Sequence, residues 1–107
     1  MAHYLYQAAY TPEAWASMSQ NPQDRIAAVT PTVERMGGRV VGGWFAFGEY
    51  DVIAVFEFPD SVSAAAVAIA FAGGGALKAA KTTPLLTVEE AMAAMGKASG
   101  TGYQPPS

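Results

Sequence analysis

The sequence predicts an α+β domain built around one antiparallel β-sheet, and two observations carry that prediction. Segments typical of strands and helices follow one another in the order strand, helix, strand, strand, helix, strand. The central stretch Arg39–Phe58 reads RVVGGWFAFGEYDVIAVFEF, in which apolar residues dominate both sets of alternating positions. A strand pair of this composition belongs in a sheet that is covered on both faces.

A turn at Gly48-Glu49 is predicted to join the two central strands, because glycine followed by another residue is typical of a two-residue type II′ turn. This turn places Trp44 opposite Ile53 and so decides which residues share a face. One face, assigned to the hydrophobic core, collects Val41, Gly43, Phe45, Phe47, Tyr50, Val52, Ala54, Phe56 and Phe58. The other, called the open face below, collects Val40, Gly42, Trp44, Ala46, Asp51, Ile53, Val55 and Glu57.

The first strand is predicted at His3–Tyr10, an apolar and aromatic segment of strand length. Thr11-Pro12-Glu13 then provides an N-cap, a proline at the first helical position and an acidic first-turn residue, which together begin a helix. Asn21-Pro22 interrupts this helix, and Gly37-Gly38 ends it after a kink or short break at Pro31. The part between the interruption and the end has a one-sided apolar pattern, formed by Ile26, Val29, Val33 and Met36.

The second half repeats the helix and strand pattern. Asp60 is the predicted N-cap of a helix at Val62–Ala72, which is apolar on every side, so we expect a neighbouring subunit against its outer side. A fourth strand is predicted within Ala76–Leu86, where Pro84 indicates an edge strand. Thr87 and Glu90 fit a capping box, and the last helix carries Val88, Met92 and Met95 on one side. We assign residues 1–96 to one domain and residues 97–107, which are polar and rich in Gly and Pro, to a disordered tail.

This order of elements is that of the ferredoxin-like split β-α-β fold, in which the helices cover one face of a four-stranded antiparallel sheet. The apolar open face then needs a cover from outside the chain. Two such sheets packed back to back form a dimeric α/β barrel, so we expect a homodimer or a higher homo-oligomer. The low share of charged residues, 14%, agrees with a surface that is partly buried between chains.

The run Phe47-Gly48-Glu49-Tyr50-Asp51-Val52-Ile53 resembles the glycine-x-tyrosine-aspartate signature of the GYD domain family. Its surroundings are similar as well, with an aromatic first strand that ends in Thr-Pro, Gly-Gly before the second strand, an Ala-rich helix after Pro-Asp, and Thr82-Thr83 before a Glu-Glu helix start. The resemblance covers about Tyr4–Met95. It implies a ferredoxin-like dimeric α/β barrel and no particular activity, although related barrels include cofactor-free monooxygenases, small-molecule isomerases and stress-responsive proteins.

Composition argues against several functions. The net charge is −3 with six Lys and Arg residues, whereas nucleic acids and anionic membranes attract a basic patch. No segment has the pattern of a membrane span or a secretory signal, so we expect a soluble cytoplasmic protein. The chain has no Cys, and one histidine, His3, gives no usual zinc set. Gly73-Gly74-Gly75 lacks the lysine of a phosphate-binding loop. We therefore expect neither a metal nor a cofactor.

Acidic side chains on the open face are candidates for function. Glu57 is costly to bury alone, and burial would raise the pKa of its carboxyl group toward the range of a general acid or base. Alternatively, Glu57 pairs with Arg39 or Lys78 near an end of the sheet. Asp51 either accepts hydrogen bonds from backbone amides, at the hairpin or across the dimer, or provides a polar contact at the mouth of the barrel.

The first strand contributes to the open face in one of two phases. One phase adds His3, Leu5 and Gln7 to this face, and the opposite phase adds Tyr4 and Tyr6. With the first phase, the predicted ligand-binding residues are Trp44, Asp51, Glu57, His3, Gln7 and Ile53. A mononuclear metal site at His3, Asp51 and Glu57 is a minor alternative.

Three function classes follow from these residues. The favoured one is a non-catalytic homo-oligomer whose interior binds a small apolar or aromatic molecule between the sheets, with Trp44 as a stacking wall. The second is a cofactor-free monooxygenase or isomerase with Glu57 or His3 as the base. The third is an accessory subunit of a larger assembly.

Overall fold

The computed structural model describes residues 1–107 and contains four strands and four helices. The strands are β1 (Ala2–Tyr10), β2 (Arg39–Phe45), β3 (Val52–Phe58) and β4 (Leu77–Leu85). The helices are α1 (Pro12–Gln20), α2 (Arg25–Arg35), α3 (Ser61–Gly73) and α4 (Val88–Ala98). The strands form one antiparallel sheet in the order β2-β3-β1-β4. The predicted α+β fold is confirmed, and this strand order is consistent with the ferredoxin-like arrangement.

The hydrophobic core lies between one face of the sheet and the helices. Alternate residues of the two central strands are buried in it, namely Tyr4, Tyr6, Ala8 and Tyr10 of β1 and Val52, Ala54, Phe56 and Phe58 of β3. Val33 of α2 and both Ala64 and Val67 of α3 complete the cluster from the helix side. The core face predicted for β3 is confirmed, and β1 takes the phase that places Tyr4 and Tyr6 under the helices.

The connection between β2 and β3 is longer than predicted. Residues 46–51 separate the two strands, and Gly48 lacks the positive φ that a type II′ turn requires. The amide of Asp51 explains the difference, because it donates to the carbonyl of Ala8 at 2.8 Å and so ties the start of β3 to β1. The strand register is the predicted one near the loop, with Trp44 opposite Ile53.

A bulge in β2 reverses the predicted faces of two valines. The pairing shifts between Val40 and Gly42, so that Val40 lies opposite Phe56 and packs against the core, while Val41 is exposed. One extra residue in a strand reverses the alternation of every residue beyond it. Gly43 keeps its predicted core side, where a Cβ atom would come within 2.7 Å of the Ile26 side chain.

Two aromatic residues of the loop lie outside the core, contrary to the prediction. Phe47 is fully exposed (102%) because the loop carries it past the end of the sheet. Tyr50 is half-buried, and it does not belong to the core cluster. The loop therefore presents an aromatic side chain to its surroundings instead of adding to the core.

The predicted helix starts are confirmed by their capping hydrogen bonds. The side chains of Thr11 and Asp60 accept hydrogen bonds from the third residue along, at 3.1 Å and 2.7 Å respectively. Thr87 and Glu90 form both hydrogen bonds of a capping box. Helix α2 continues without a break through Pro31.

Helix α4 makes few contacts with the rest of the chain. The side predicted to be apolar is exposed along its length, and it consists of Val88, Met92 and Met95. The outer side of α3 is exposed in the same way at Val62 and Ile69. Helix α4 reaches Ala98, two residues into the segment that we assigned to the tail. None of the four helices has the length and apolar composition that a membrane crossing requires.

Candidate functional site on the open face

Helices α1, α2 and α3 pack on the core face, and most of the predicted ligand-binding residues lie on the opposite, open face. The register places His3 opposite Glu57, and it places Ile53 between Gln7 on one neighbouring strand and Trp44 on the other. These five residues share one side because paired residues of an antiparallel sheet point to the same face. Leu5 and Val55, which also face each other, fill the space between the two groups. The site therefore has an apolar middle with a charged cluster at one end.

Glu57 is the centre of the charged cluster. Its carboxylate accepts two hydrogen bonds from the Arg39 guanidinium, at 3.2 Å from Nε and 2.9 Å from Nη2. The His3 Nε2 atom lies 3.0 Å from the same carboxylate. The predicted pairing with Arg39 is confirmed, whereas Lys78 takes no part in an ion pair. A bidentate contact of this kind orients both partners as well as joining their charges.

The electrostatics of Glu57 are opposite to those expected for an isolated buried acid. The hydrogen-bonded Arg39 guanidinium lowers the pKa of the Glu57 carboxyl group below its ordinary value, and this effect exceeds the opposing effect of burial. The predicted rise in pKa is therefore wrong. Glu57 is a carboxylate at neutral pH, which makes it a poor general acid. It is better suited to orient His3, whose Nδ1 is left as an acceptor when Nε2 donates to Glu57.

We expect the stability of the Glu57→Gln variant to decrease less at acidic pH than the stability of the wild-type protein. A carboxyl group with a lowered folded-state pKa stabilises the fold above its unfolded-state pKa, and this contribution is lost as the pH falls through the folded-state value. Urea unfolding at a series of pH values should show wild type losing more stability than Glu57→Gln between about pH 5 and pH 2. Asp60 and Glu90, whose carboxyl pKa values are also lowered by hydrogen bonds, are present in both proteins. A difference between the two proteins that does not change with pH would contradict this assignment.

Trp44 forms an aromatic platform on the open face. Its side chain is largely exposed (60%). The tip of the indole lies over Gly42, where a Cβ atom would come within 2.9 Å of the ring. Gly42 therefore allows the ring to lean along the strand. Sequence alternation places Gly42 and Trp44 on the same face. Only the structure shows that the Trp44 ring leans over Gly42.

Asp51 does not join this group. Its carboxylate accepts hydrogen bonds from the amide of Tyr10 at 2.9 Å and from the indole nitrogen of Trp15 at 3.2 Å. Trp15 belongs to α1 and packs edge-on against Tyr10, which is buried on the helix side of the sheet. The placement of Asp51 on the open face is therefore wrong. Its contact with a backbone amide fits the structural alternative, although the amide belongs to β1 and not to the hairpin.

Removing the Asp51 carboxylate should destabilise the fold. Asp51→Ala breaks both hydrogen bonds and leaves a backbone amide of a buried residue without its partner, which costs roughly 1–3 kcal/mol. Chemical denaturation measures this loss. Glu49→Ala is the matched control, because Glu49 is an exposed carboxylate of the same loop with no hydrogen bond. Equal stabilities for the two variants would show that the Asp51 contacts do not support the fold.

The three side chains considered as a metal site do not converge. Asp51 and Glu57 are six positions apart on an extended segment, which separates them by about 20 Å along the strand. No group of three His, Asp or Glu side chains is close enough to hold a metal ion. The open face thus offers an ion-paired carboxylate and one histidine.

A second feature of interest lies on the helix side, where sequence patterns indicated only core. A cavity between the sheet and the helices is lined by Tyr6, Tyr10 and Arg25 together with apolar side chains. The structure places Tyr6 and Tyr10 on the same face as the core residues, and sequence periodicity cannot show that the space above them is incompletely filled. No sequence signal singled out Arg25.

The profile of the GYD domain matches residues 4–95, which is most of the chain. No curated protein matches the sequence.

Proposed function

The chain belongs to the GYD domain family, a family of unknown function, and we propose that it acts as a homodimer whose two open faces enclose a binding site for a small apolar or aromatic molecule. The observation that carries the proposal is the uncovered sheet. Helices α1, α2 and α3 occupy one face, and the other presents Leu5, Ile53 and Val55 beside Trp44. An apolar sheet face of this kind is normally buried.

A second copy of the chain is the cover that fits best. Four strands about 4.8 Å apart and about 25 Å long present a flat area of about 480 Å², which is more than half of the about 800 Å² that a standard protein interface buries per partner. Two identical faces related by a twofold axis match each other in apolar character. The result is the dimeric α/β barrel expected from the sequence.

The same face is suited to hold a ligand between the sheets. Packed sheets lie about 10 Å apart, and their side chains fill the space only where they interdigitate. Gly42 contributes no side chain, and the Trp44 ring leans over it as a flat surface. Gln7 offers an amide for one polar contact, and His3 with Glu57 closes one end with charge. This combination favours an aromatic ligand with few polar groups.

Binding of 2-naphthol as a probe tests this proposal. Saturation-transfer NMR should detect binding to wild type, and Trp44→Ala should weaken it several-fold, because a stacked aromatic pair contributes about 0.5–1.5 kcal/mol. Trp15→Phe is the matched control, since Trp15 is bound to Asp51 away from the open face. Native mass spectrometry of freshly purified protein would reveal a retained natural ligand. Equal binding by Trp44→Ala and wild type would overturn the proposal.

A second candidate function is a cofactor-free enzyme of the monooxygenase or isomerase type, and the His3–Glu57 contact favours it. A carboxylate that orients a histidine is a common arrangement for proton abstraction. The base in this case is His3, with Glu57 as its positioning residue. Exchange of the α-protons of 2-tetralone for deuterium, followed by NMR, measures such an activity. Acceleration by wild type and not by His3→Gln would support it, and equal rates with and without protein would remove it.

A third candidate is an accessory subunit of a larger assembly. The exposed apolar sides of α3 and α4, at Ile69 and Met92 for example, favour it. Light scattering separates this candidate from a simple dimer, because an assembly through these helices gives a mass above that of two chains. A mass of two chains at all concentrations would count against it.

A further inference from the structure

A cavity of about 80 Å³ lies on the helix side of the sheet, within a single subunit. Its floor consists of buried residues of β1 and β3, and two of these, Ala8 and Ala54, have very short side chains. Its rim consists of less buried residues of α2 and α3, including Val29 and Phe71. Helix α2 packs on β2, whereas α3 packs on β4 and β3. The space between these two helices is left above the short side chains of the sheet.

The lining is apolar apart from one charge. Eleven of its twelve residues are hydrophobic, and the twelfth is Arg25, at the N-terminal end of α2. Arg25 forms no ion pair, since both ion pairs of the structure belong to Glu57. One of its nitrogens donates to the exposed side chain of Gln23, which leaves most of the guanidinium donors free. An unpaired guanidinium at the edge of an apolar cavity attracts an anion with an apolar body.

Two tyrosines add hydrogen-bond donors to the same space. Tyr10 lies beside Arg25. The hydroxyl group of Tyr6 is buried and has no hydrogen-bond partner, an arrangement that costs free energy in the unliganded protein. Burial raises the pKa of Tyr6 to about 12, so this hydroxyl stays protonated and remains a donor. The Tyr6 ring packs edge-on against Phe71 at 5.5 Å between centroids, and Phe71 is part of the rim.

We propose that this cavity is a second ligand site, one in each subunit, that binds a small carboxylic acid with an apolar body. The carboxylate lies at the rim, where it accepts hydrogen bonds from Arg25 and Tyr10. The apolar body enters between α2 and α3 and rests on the sheet floor formed by Ala8 and Ala54. When the half-buried Phe71 ring shifts, the Tyr6 hydroxyl can donate a hydrogen bond to an oxygen atom of the ligand.

The volume limits the ligand to a small molecule. An engineered protein cavity of about 150 Å³ holds one benzene molecule. The present cavity has about half that volume, so it encloses roughly half of an aromatic ring, and the rest of the ligand lies at the rim. Single-ring and short branched acids fit this limit. The site is independent of the barrel interior, because its lining comes from the opposite side of the sheet, and it does not require the dimer.

Benzoate and its neutral isostere benzamide are the probes for this proposal. Titration followed by NMR should show saturable millimolar or tighter binding of benzoate to the full-length protein, and weaker binding of benzamide. Arg25→Gln should reduce benzoate affinity roughly tenfold or more, since a hydrogen bond to a charged group contributes about 1.5–3 kcal/mol, and it should leave benzamide affinity unchanged. Arg35→Gln, at the other end of the same helix, is the matched control and should bind both probes as wild type does.

The loss of Arg25 could alter the start of α2, so a second variant fills the cavity without changing Arg25. Val29→Phe places a ring in the cavity from the half-buried side of α2 and should abolish binding of both probes, with the thermal midpoint retained. In a Trp44→Ala background, Arg25→Gln should lower benzoate affinity by the same factor as it does in the wild-type background, which separates this site from the barrel interior. No saturable benzoate binding, equal benzoate affinity in Arg25→Gln, or unaffected binding in Val29→Phe would each overturn the proposal.

Discussion

Replacement of Val55 by aspartate is expected to convert the proposed dimer to a monomer. Val55 lies at the centre of the open face, opposite Leu5 on one side and Gly42 on the other. In a twofold interface the substitution occurs twice, once in each subunit, and burying each unpaired carboxylate costs at least about 2 kcal/mol. A total cost of about 4 kcal/mol raises the dissociation constant about a thousandfold. Size-exclusion chromatography with light scattering measures the change in mass.

Ile69→Asp is the matched control for this prediction. Ile69 is exposed on the outer side of α3, on the helix side of the sheet. An aspartate there leaves an open-face dimer intact and disrupts any association through α3. If Ile69→Asp dissociates the protein while Val55→Asp does not, the interface lies on the helices and not on the sheet.

Truncation of Phe58 to alanine is expected to cause the largest loss of stability in a single subunit. The side chain is 1% exposed, and its ring packs edge-on against Tyr4 and Phe56, each at 5.9 Å between centroids. Deleting a buried ring that neighbours cannot replace costs about 3–5 kcal/mol. This is a large part of the roughly 5–15 kcal/mol that stabilises an ordinary domain. Urea unfolding is measured at one fixed protein concentration, since an association of subunits would make the apparent stability depend on concentration.

Phe47→Ala provides the comparison for Phe58→Ala. Phe47 precedes β3 and Phe58 is its last residue, and both were predicted to face the core. Phe47 is fully exposed in the subunit, so its truncation should change the free energy of unfolding by less than about 0.5 kcal/mol. Similar losses for the two variants would contradict the observed loop conformation.

The fold follows from the sequence to the extent that local chemistry determines it. Alternation assigns Phe56 and Phe58 to the core and Ile53 and Val55 to the open face, because a strand register that slips by one residue would reverse every side chain. The capping residues Thr11 and Asp60 mark helix starts through hydrogen bonds that span only three residues. These features need no knowledge of distant parts of the chain.

The errors arise where a distant partner overrides a local signal. Gly48 favours a tight turn by itself, but the hydrogen bond from the Asp51 amide to Ala8 widens the loop. The Asp51 carboxylate is directed to Tyr10 and Trp15, and neither partner is identifiable from the hairpin sequence. The same reasoning explains Glu57, whose pKa depends on whether Arg39 reaches it.

The sequence predicted which residues belong to the candidate site better than it predicted how they are arranged. Sequence alternation placed Trp44, Ile53 and Glu57 on one face and added His3 and Gln7 in one of two possible phases, and the sheet register brings the five together. It could not place the Trp44 ring over Gly42, nor could it show the cavity near Arg25. Both depend on how closely side chains and helices approach one another, which periodicity does not encode.

Sedimentation equilibrium of the wild-type protein over a range of concentrations tests most directly whether a second copy covers the open face. Each chain has a mass of 11.1 kDa. We predict a species of twice that mass that persists on dilution, with Trp44 shielded from water. A single-chain mass at every concentration, with Trp44 accessible to solvent, would contradict both the dimer and the binding site between its sheets.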